Sequence, residues 1–310
     1  MRAIVMLLCA ASLVAAPPAA RKETLRIPIW IQAEAGKPAA ALTREALRVK
    51  VNGVAVQPAG LLAPKDDLVL LVVTDMAGDV TLAELAKRAL DERISQLPSN
   101  ALAGLLRAQD GLRVLLDPTA DRAALKAAID AVPVSGKAGL LETLQTAAAL
   151  GDAILARAAV RVVVLFVTDS DVSNYREDFT NPTVNWTDSG DISRRFRDGL
   201  IREKISKLDA SLEAVETPVF ILHLAYRTDT LNQAYQTGLM TLAATTGGSS
   251  YFCRSQTEIP DVMGKAFAAI ASQYSLTVAL PRSLPKTVDV TLESPGLSLN
   301  WRSRFALRGD

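Results

Sequence analysis

Residues 67–75 read DLVLLVVTD, a continuous apolar run that begins and ends with an acid. Such a run is typical of a strand that is buried on both faces, as in a parallel sheet with helices on each side. Residues 160–169 read VRVVVLFVTD and have the same character and the same Thr-Asp ending. The two stretches therefore predict two central strands of one sheet, each with a carboxylate at its carboxyl end.

Segments with the spacing of amphipathic helices alternate with these strands and with a third apolar strand at 218–224. We expect helices at 82–94, 121–132, 140–155, 192–215 and 259–271. The first of them is preceded by Thr81, which has the spacing of a capping box with Glu84. Strands that alternate with helices predict an α/β fold with a doubly wound, mostly parallel sheet of the Rossmann-like kind.

The two ends of the chain have a different pattern, because apolar and polar residues alternate there with a period of two. Alternating segments lie at 25–31 and 46–51, and again at 275–280, 287–292 and 299–305. We infer that strands from both ends pair into a small β-rich module. The predicted division assigns residues 21–64 and 273–310 to this module, and residues 65–272 to an inserted α/β domain.

Residues 1–20 have the features of a secretory signal peptide: a basic start, a short apolar run and an exit of small residues. We therefore expect an exported protein, periplasmic or extracellular. The run is too short to cross a bilayer, and no second apolar stretch approaches that length, so no membrane span is expected. Removal of this segment would leave Cys253 as the only thiol and would exclude an intramolecular disulfide.

Composition excludes several classes of function. The chain has 34 Lys and Arg against 33 Asp and Glu, so it lacks the excess of basic residues that a nucleic-acid binder needs. One histidine and two cysteines exclude zinc sites that are built from several such ligands. The histidine, His223, lies within an apolar strand, and we expect it to be a hydrogen-bonded core residue.

Five segments, in this order, resemble von Willebrand factor type A domains, most closely those of bacterial secreted proteins that flank the domain with extra strands. The segments are residues 42–49, 115–119, 242–252, 273–276 and 302–305. The resemblance covers nearly all of the chain after the signal peptide. It implies a von Willebrand A-like fold and an adhesion-type module that binds a protein and is not an enzyme.

The resemblance also implies a metal-ion-dependent adhesion site, with Asp-x-Ser-x-Ser in one loop, Thr in a second and Asp in a third. In this chain Asp75 and Asp169 are kept, while Ala77 and Asp79 replace the serines and Ala138 replaces the threonine. The predicted metal ligands are therefore Asp75, Asp79 and Asp169 in a degenerate site. Mg²⁺ prefers an octahedron of oxygen ligands, and the alanines at 77 and 138 remove two hydroxyl oxygens that would help to complete it. We therefore expect no cofactor, or a weakly bound Mg²⁺ or Ca²⁺.

The predicted partner is an unidentified protein that contacts the loops at the carboxyl edge of the sheet. Residues 170–191 form a long loop with several acids and aromatic residues, and long loops at such an edge often carry function. The predicted contact residues are Ala138, Asp171, Tyr175 and Trp186.

Two alternatives remain open from the sequence. Asp169-Ser170-Asp171 is similar to the Asp-x-Asp loop of haloacid-dehalogenase-like phosphatases, which implies a Mg²⁺-dependent hydrolase with Asp169 as nucleophile and Asp171 in proton transfer. That family carries the loop on its first strand, whereas here it follows a βαβ series. The other alternative is a structural scaffold with an inactive site.

Overall fold

In a computed structural model of the protein, residues 24–32, 41–175, 190–281 and 284–307 are described, with only the backbone for 190–198 and 200. The predicted signal peptide and Trp186 lie outside these ranges. No helix in the described ranges is both long enough and apolar enough to cross a membrane.

The described residues form fourteen strands and six helices. The strands are β1 (Thr24–Ile31), β2 (Arg48–Val51), β3 (Val54–Val56), β4 (Pro58–Leu62), β5 (Leu68–Asp75), β6 (Ala101–Arg107), β7 (Arg113–Thr119), β8 (Arg161–Thr168), β9 (Val219–His223), β10 (Ser250–Phe252), β11 (Tyr274–Ala279), β12 (Thr287–Glu293), β13 (Leu299–Trp301) and β14 (Arg304–Ala306). The helices are α1 (Val80–Ser95), α2 (Arg122–Asp130), α3 (Leu140–Leu155), α4 (Gly190–Leu212), α5 (Thr230–Thr245) and α6 (Ile259–Ala271). Short 3₁₀ turns lie at Val172–Tyr175 and Gln256–Glu258.

The central sheet has six strands in the order β10-β9-β8-β5-β6-β7. Counted along the chain, this is the order 3-2-1-4-5-6 of a doubly wound sheet. Every neighbouring pair is parallel except β6 and β7, which are antiparallel. A turn of a few residues joins β6 to β7, and a turn of that length can only connect antiparallel strands. The predicted fold class, α/β with a mostly parallel doubly wound sheet, is confirmed.

The apolar runs at 67–75 and 160–169 are buried on both faces of this sheet. In β5, Leu68, Leu70 and Val72 belong to a core shared with α1, α2 and α6. The alternate side chains belong to a second core, shared with α3, α4 and α5. Because each residue of the strand faces one helix layer or the other, no position in the run is polar until the strand ends.

Strands from both ends of the chain pair into two antiparallel sheets, as the fold prediction expected. The orders are β13-β1-β11-β4 and β14-β12-β2-β3. Ile27 pairs with Leu276 and Val49 with Leu292, so each sheet joins residues that are far apart in sequence. The sequence patterns missed β3 and β4, which are short and only partly buried.

A buried arginine joins the β-rich part to the α/β domain. Arg161, at the start of β8, is 2% exposed. Its guanidinium donates to the carbonyl oxygens of Pro64 at 2.6 Å, Asp66 at 2.8 and 3.3 Å, Ala271 at 3.3 Å and Gln273 at 3.1 Å. These carbonyls belong to the segments that enter and leave the α/β domain, so one side chain ties both connections together.

Arg302 makes a second tie of the same kind. It is buried, and its guanidinium donates to the carbonyl oxygens of Glu213 and Val215, just after α4. The guanidinium also lies over the ring of Phe305, 4.1 Å from its centroid. Burial lowers the pKa of Arg302 to about 10, which still leaves the side chain charged at neutral pH.

Candidate functional site

Three loops meet at the carboxyl edge of the central sheet. Asp75 ends β5, and Asp169 follows the neighbouring strand β8, where the amide of Asp169 lies 3.4 Å from the carbonyl oxygen of Asp75. The loop before α3 reaches the same place, because the amide of Gly139 donates to Asp75 at 2.8 Å. Positions 75, 138 and 169, which the sequence resemblance places in one site, therefore lie at one edge of the sheet.

The carboxylate of Asp75 is fully buried and accepts four hydrogen bonds. Two come from the backbone amides of Gly139 at 2.8 Å and Leu140 at 3.2 Å. The other two come from the hydroxyls of Thr168 at 3.2 Å and Ser170 at 3.0 Å. Gly139 is the N-cap of α3 and has no side chain to cap the helix. The carboxylate of Asp75, at the end of β5, caps the helix instead.

The two hydroxyls belong to a buried polar network. Thr168 Oγ1 lies 2.6 Å from Ser170 Oγ, which in turn lies 3.3 Å from the hydroxyl of Tyr235. His223 donates from Nε2 to the carbonyl oxygen of Ser170 at 2.8 Å and accepts from the amide of Ala225 at Nδ1. Both ring nitrogens are therefore used in the core, in agreement with the expected role of this histidine, and burial lowers its pKa.

Stability is expected to depend on pH through Asp75. Burial raises the pKa of this carboxyl from its ordinary 3.8 to about 6. The folded protein then holds the proton more tightly than the unfolded chain, so this stabilising contribution is complete below about pH 4 and is lost as the pH rises to about 6. A shift of this size corresponds to about 3 kcal/mol.

Urea denaturation of the wild type and of Asp75→Asn measures this contribution, because asparagine does not titrate. The free energy of unfolding of the wild type, minus that of the variant, is expected to fall by about 2 kcal/mol between pH 4 and pH 6, and by about 3 kcal/mol in all once the pH has risen well above 6. A difference that is independent of pH would contradict the prediction.

Asp169 ties the loop after β8 to the loop after β5. One carboxylate oxygen accepts from the amide of Ala77 at 2.7 Å, and the other accepts from the amides of Gly78 at 3.1 Å and Asp79 at 2.9 Å. Successive amides that point at one anion form a nest, which favours a bound carboxylate. Asp169 is 7% exposed, so its charge is held largely inside the protein.

The predicted capping box of Thr81 and Glu84 is wrong. Helix α1 begins at Val80, so its N-cap is Asp79, whose Oδ1 accepts from the amides of Thr81 at 2.8 Å and of residue 82 at 3.1 Å. Glu84 instead pairs with Lys87 at 3.0 Å. The acid that was predicted as a third metal ligand is thus placed at the start of a helix and caps it.

Asp171 is partly buried and shapes its own turn. Its Oδ1 accepts from the amide of Ser173 at 2.8 Å and from the hydroxyl of the same serine. Its Oδ2 lies 3.8 Å from Nε of Arg227. The carboxylates of Asp169 and Asp171, which a phosphatase-like mechanism would use together, are therefore bonded to different loops.

Two predicted contact residues lie in the core, and a third lies outside the described residues. Ala138 is 3% exposed. Tyr175 is fully buried, and its hydroxyl accepts from the amide of Leu141 at 3.4 Å. Both side chains face inward because they pack beneath the loops that were expected to display them, so neither offers surface to a partner. Trp186 is the residue that the structure does not describe.

An exposed aromatic and arginine pair at the same edge was missed by the sequence analysis. Tyr226 and Arg227 follow β9, the next strand after β8 in the sheet. Tyr226 is 38% exposed, and its ring meets that of Phe252 edge-on at 5.9 Å. The sequence signal that could have found this pair is its position directly after β9, a predicted strand that ends at this edge.

Comparisons with known proteins bear on the fold. No protein-family model matches the chain, and no curated protein matches it. Among solved structures, the chain is similar to a von Willebrand factor type A protein from Catenulispora acidiphila, with 12% identity and a TM-score of 0.47 over 93% of this chain and 74% of that one. It is also similar to the PilB minor pilin from Streptococcus sanguinis, with 10% identity and a TM-score of 0.48 over 67% of this chain and 62% of that one.

A third similar structure is proximal thread matrix protein 1 of the mussel byssus, with a zinc-occupied MIDAS motif. The identity is 15% and the TM-score 0.43, over 73% of this chain and 50% of that chain. The chain thus spans less than two thirds of the length of the pilin and half of the byssus protein. In these comparisons the chain is similar to von Willebrand factor type A structures, the family that the sequence resembles.

The residues at this edge of the α/β domain do not fit a divalent cation. Ala77 and Ala138 have no side-chain oxygen at the two positions where the resemblance implies hydroxyl ligands. The carboxylates of Asp75, Asp79 and Asp169 all accept hydrogen bonds from the protein itself. Within the described ranges, no group of three or more His, Cys, Asp or Glu side chains is placed to hold a metal ion.

Proposed function

We propose that the protein is an exported, non-enzymatic interaction module that binds a protein partner at the carboxyl edge of its central sheet. The observation that carries the proposal is the exposed pair Tyr226 and Arg227 at an edge whose other loops are fixed by buried carboxylates. Tyrosine and arginine are enriched among the residues that dominate binding energy at protein interfaces.

The pair sits on a backbone that is already ordered. The amide of Tyr226 donates to the carbonyl oxygen of Cys253 at 2.8 Å, and the amide of Arg227 donates to Gln236 Oε1 at 2.8 Å. A surface that is held in one conformation loses little entropy when a partner binds. Val80, 64% exposed at the start of α1, adds apolar area at the same edge.

The non-enzymatic part of the proposal is supported by the surroundings of the acids. Asp169 would be the nucleophile of a phosphatase-like enzyme, but its two oxygens are bonded to three backbone amides. Hydrolysis of p-nitrophenyl phosphate in the presence of Mg²⁺, abolished in Asp169→Asn, would contradict this part of the proposal.

The double variant Tyr226→Ala/Arg227→Ala is expected to reduce partner capture by at least about 10-fold, as loss of central contact residues does. The immobilised wild type is exposed to the envelope and culture fractions of the source cells, and captured proteins are quantified by mass spectrometry. The matched control is Met240→Ala, since Met240 is 54% exposed on α5, away from the edge. Equal capture by the double variant and the wild type, or an equal loss in the control, would contradict the proposal.

A further inference from the structure

We infer that the carboxylates at this edge hold its loops together without a divalent cation, with amide and hydroxyl donors of the chain in place of the ion. The inference concerns the surface of the proposed function, but it holds or fails whether or not a partner binds there. It assigns to hydrogen bonds the role of a metal in a metal-ion-dependent adhesion site.

The first support is that the chain makes all the loop connections by itself. Asp75 links β5 to the start of α3 and to the loop after β8. Asp169 links the loop after β8 back to the loop after β5. The loops after β5 and β8 and the loop before α3 are therefore already joined by hydrogen bonds, without a cation that would have to bind ligands from all three.

The second support is electrostatic. Asp75 lies at the amino end of α3, and Asp169 faces the amides that lead into α1, and both helices are 16 residues long. The amino end of a helix carries a partial positive charge that stabilises a carboxylate and disfavours a nearby cation. The amino ends of two helices thus face these two carboxylates from within the fold, where a cation would otherwise lie.

The third support is the cost of exchanging these donors for a metal. The amides of Gly139 and Leu140 are buried, and their direction is fixed by the backbone. A cation that displaced either hydrogen bond from Asp75 would leave a buried amide without an acceptor, and buried unpaired donors are costly. Ala77 and Ala138 offer no side-chain oxygen to offset that cost.

Thermal unfolding of the purified chain tests the inference directly. After treatment with a chelator, MgCl₂, MnCl₂ or CaCl₂ is added up to about 10 mM at constant ionic strength. A site with a dissociation constant near 0.1 mM would raise the melting temperature by roughly 5 °C or more under these conditions. We expect no saturable shift with any of the three ions. A saturable shift that is absent in Asp75→Asn would overturn the inference.

A second measurement compares the melting temperatures of the wild type and of a variant that weakens the hydrogen bonds between the loops. In chelator, Asp169→Asn is expected to melt several degrees below the wild type, because one of the two acceptor oxygens is replaced by a donor that faces backbone amides. The difference should be the same in chelator and in Mg²⁺. If chelation alone brings the wild type down to the melting temperature of the variant, a cation holds the loops and the inference is wrong.

Discussion

Arg161→Met is expected to lower the free energy of unfolding by about 4 kcal/mol. The side chain is almost fully buried, and its guanidinium is bonded to four different carbonyl groups. Methionine fills much of the volume but donates no hydrogen bond, so one buried and three partly buried carbonyl contacts lose their donor. The loss of a donor costs about 1–3 kcal/mol at a fully buried carbonyl and less at a partly buried one. Relaxation of the structure and entry of water reduce the total cost of these lost hydrogen bonds, so the expected loss of stability lies near the lower end of the range that they would give.

Urea denaturation followed by circular dichroism measures this loss. The matched control is Arg88→Met, because Arg88 lies exposed on α1 and should tolerate the change within about 0.5 kcal/mol. Arg161→Lys is expected to recover little, since an ammonium group cannot reproduce the planar fork that reaches four carbonyls. If Arg161→Met unfolds within about 1 kcal/mol of the wild type, the tie between the two parts of the fold is not important for stability.

The position of Arg161 explains why its effect should be large. It lies at the amino end of β8, at the opposite end of the strand from Asp169. Pro64 and Asp66 precede β5, while Ala271 ends α6 and Gln273 directly precedes β11. Loss of the guanidinium therefore loosens both crossings between the α/β domain and the antiparallel sheets.

The centre of the fold could be predicted from the sequence because the signal is local. In β5 and β8, neighbouring side chains face opposite helix layers, and both layers are apolar. The uninterrupted apolar run is therefore sufficient to predict that the strand is buried on both faces. The same reasoning placed Asp75 and Asp169 together, since parallel neighbours end at the same edge.

The chemistry of the edge could not be predicted in the same way. Asp75 accepts hydrogen bonds from the backbone amides of Gly139 and Leu140. Because every residue except proline has such an amide, residue types do not predict which amides will bind a carboxylate. The family resemblance suggested metal ligands, whereas the direction of each carboxylate depends on loops that are distant along the chain. The exposed pair after β9 was missed for a related reason, because exposure depends on how the neighbouring loops pack.

Gly139→Ala is expected to cost about 3–4 kcal/mol and to separate α3 from Asp75. A Cβ atom at this position would lie 2.0 Å from the carbonyl oxygen of Ala108 and 2.8 Å from its carbonyl carbon. Both atoms are backbone of the turn after β6, so they cannot rotate away, and the helix start has to move. Movement breaks the bond from the Gly139 amide to Asp75, which leaves one buried carboxylate oxygen without a donor and adds to the cost of overpacking.

Gly78→Ala is the matched control, because it makes the same chemical change in a neighbouring loop of the same edge. Its Cβ would meet Asp169 Oδ2 at 3.7 Å, an ordinary contact distance. We expect the control to unfold within about 0.5 kcal/mol of the wild type in urea, while Gly139→Ala unfolds at a much lower concentration. Equal midpoints for the two variants would mean that α3 does not approach the turn after β6 this closely, and the prediction would be wrong.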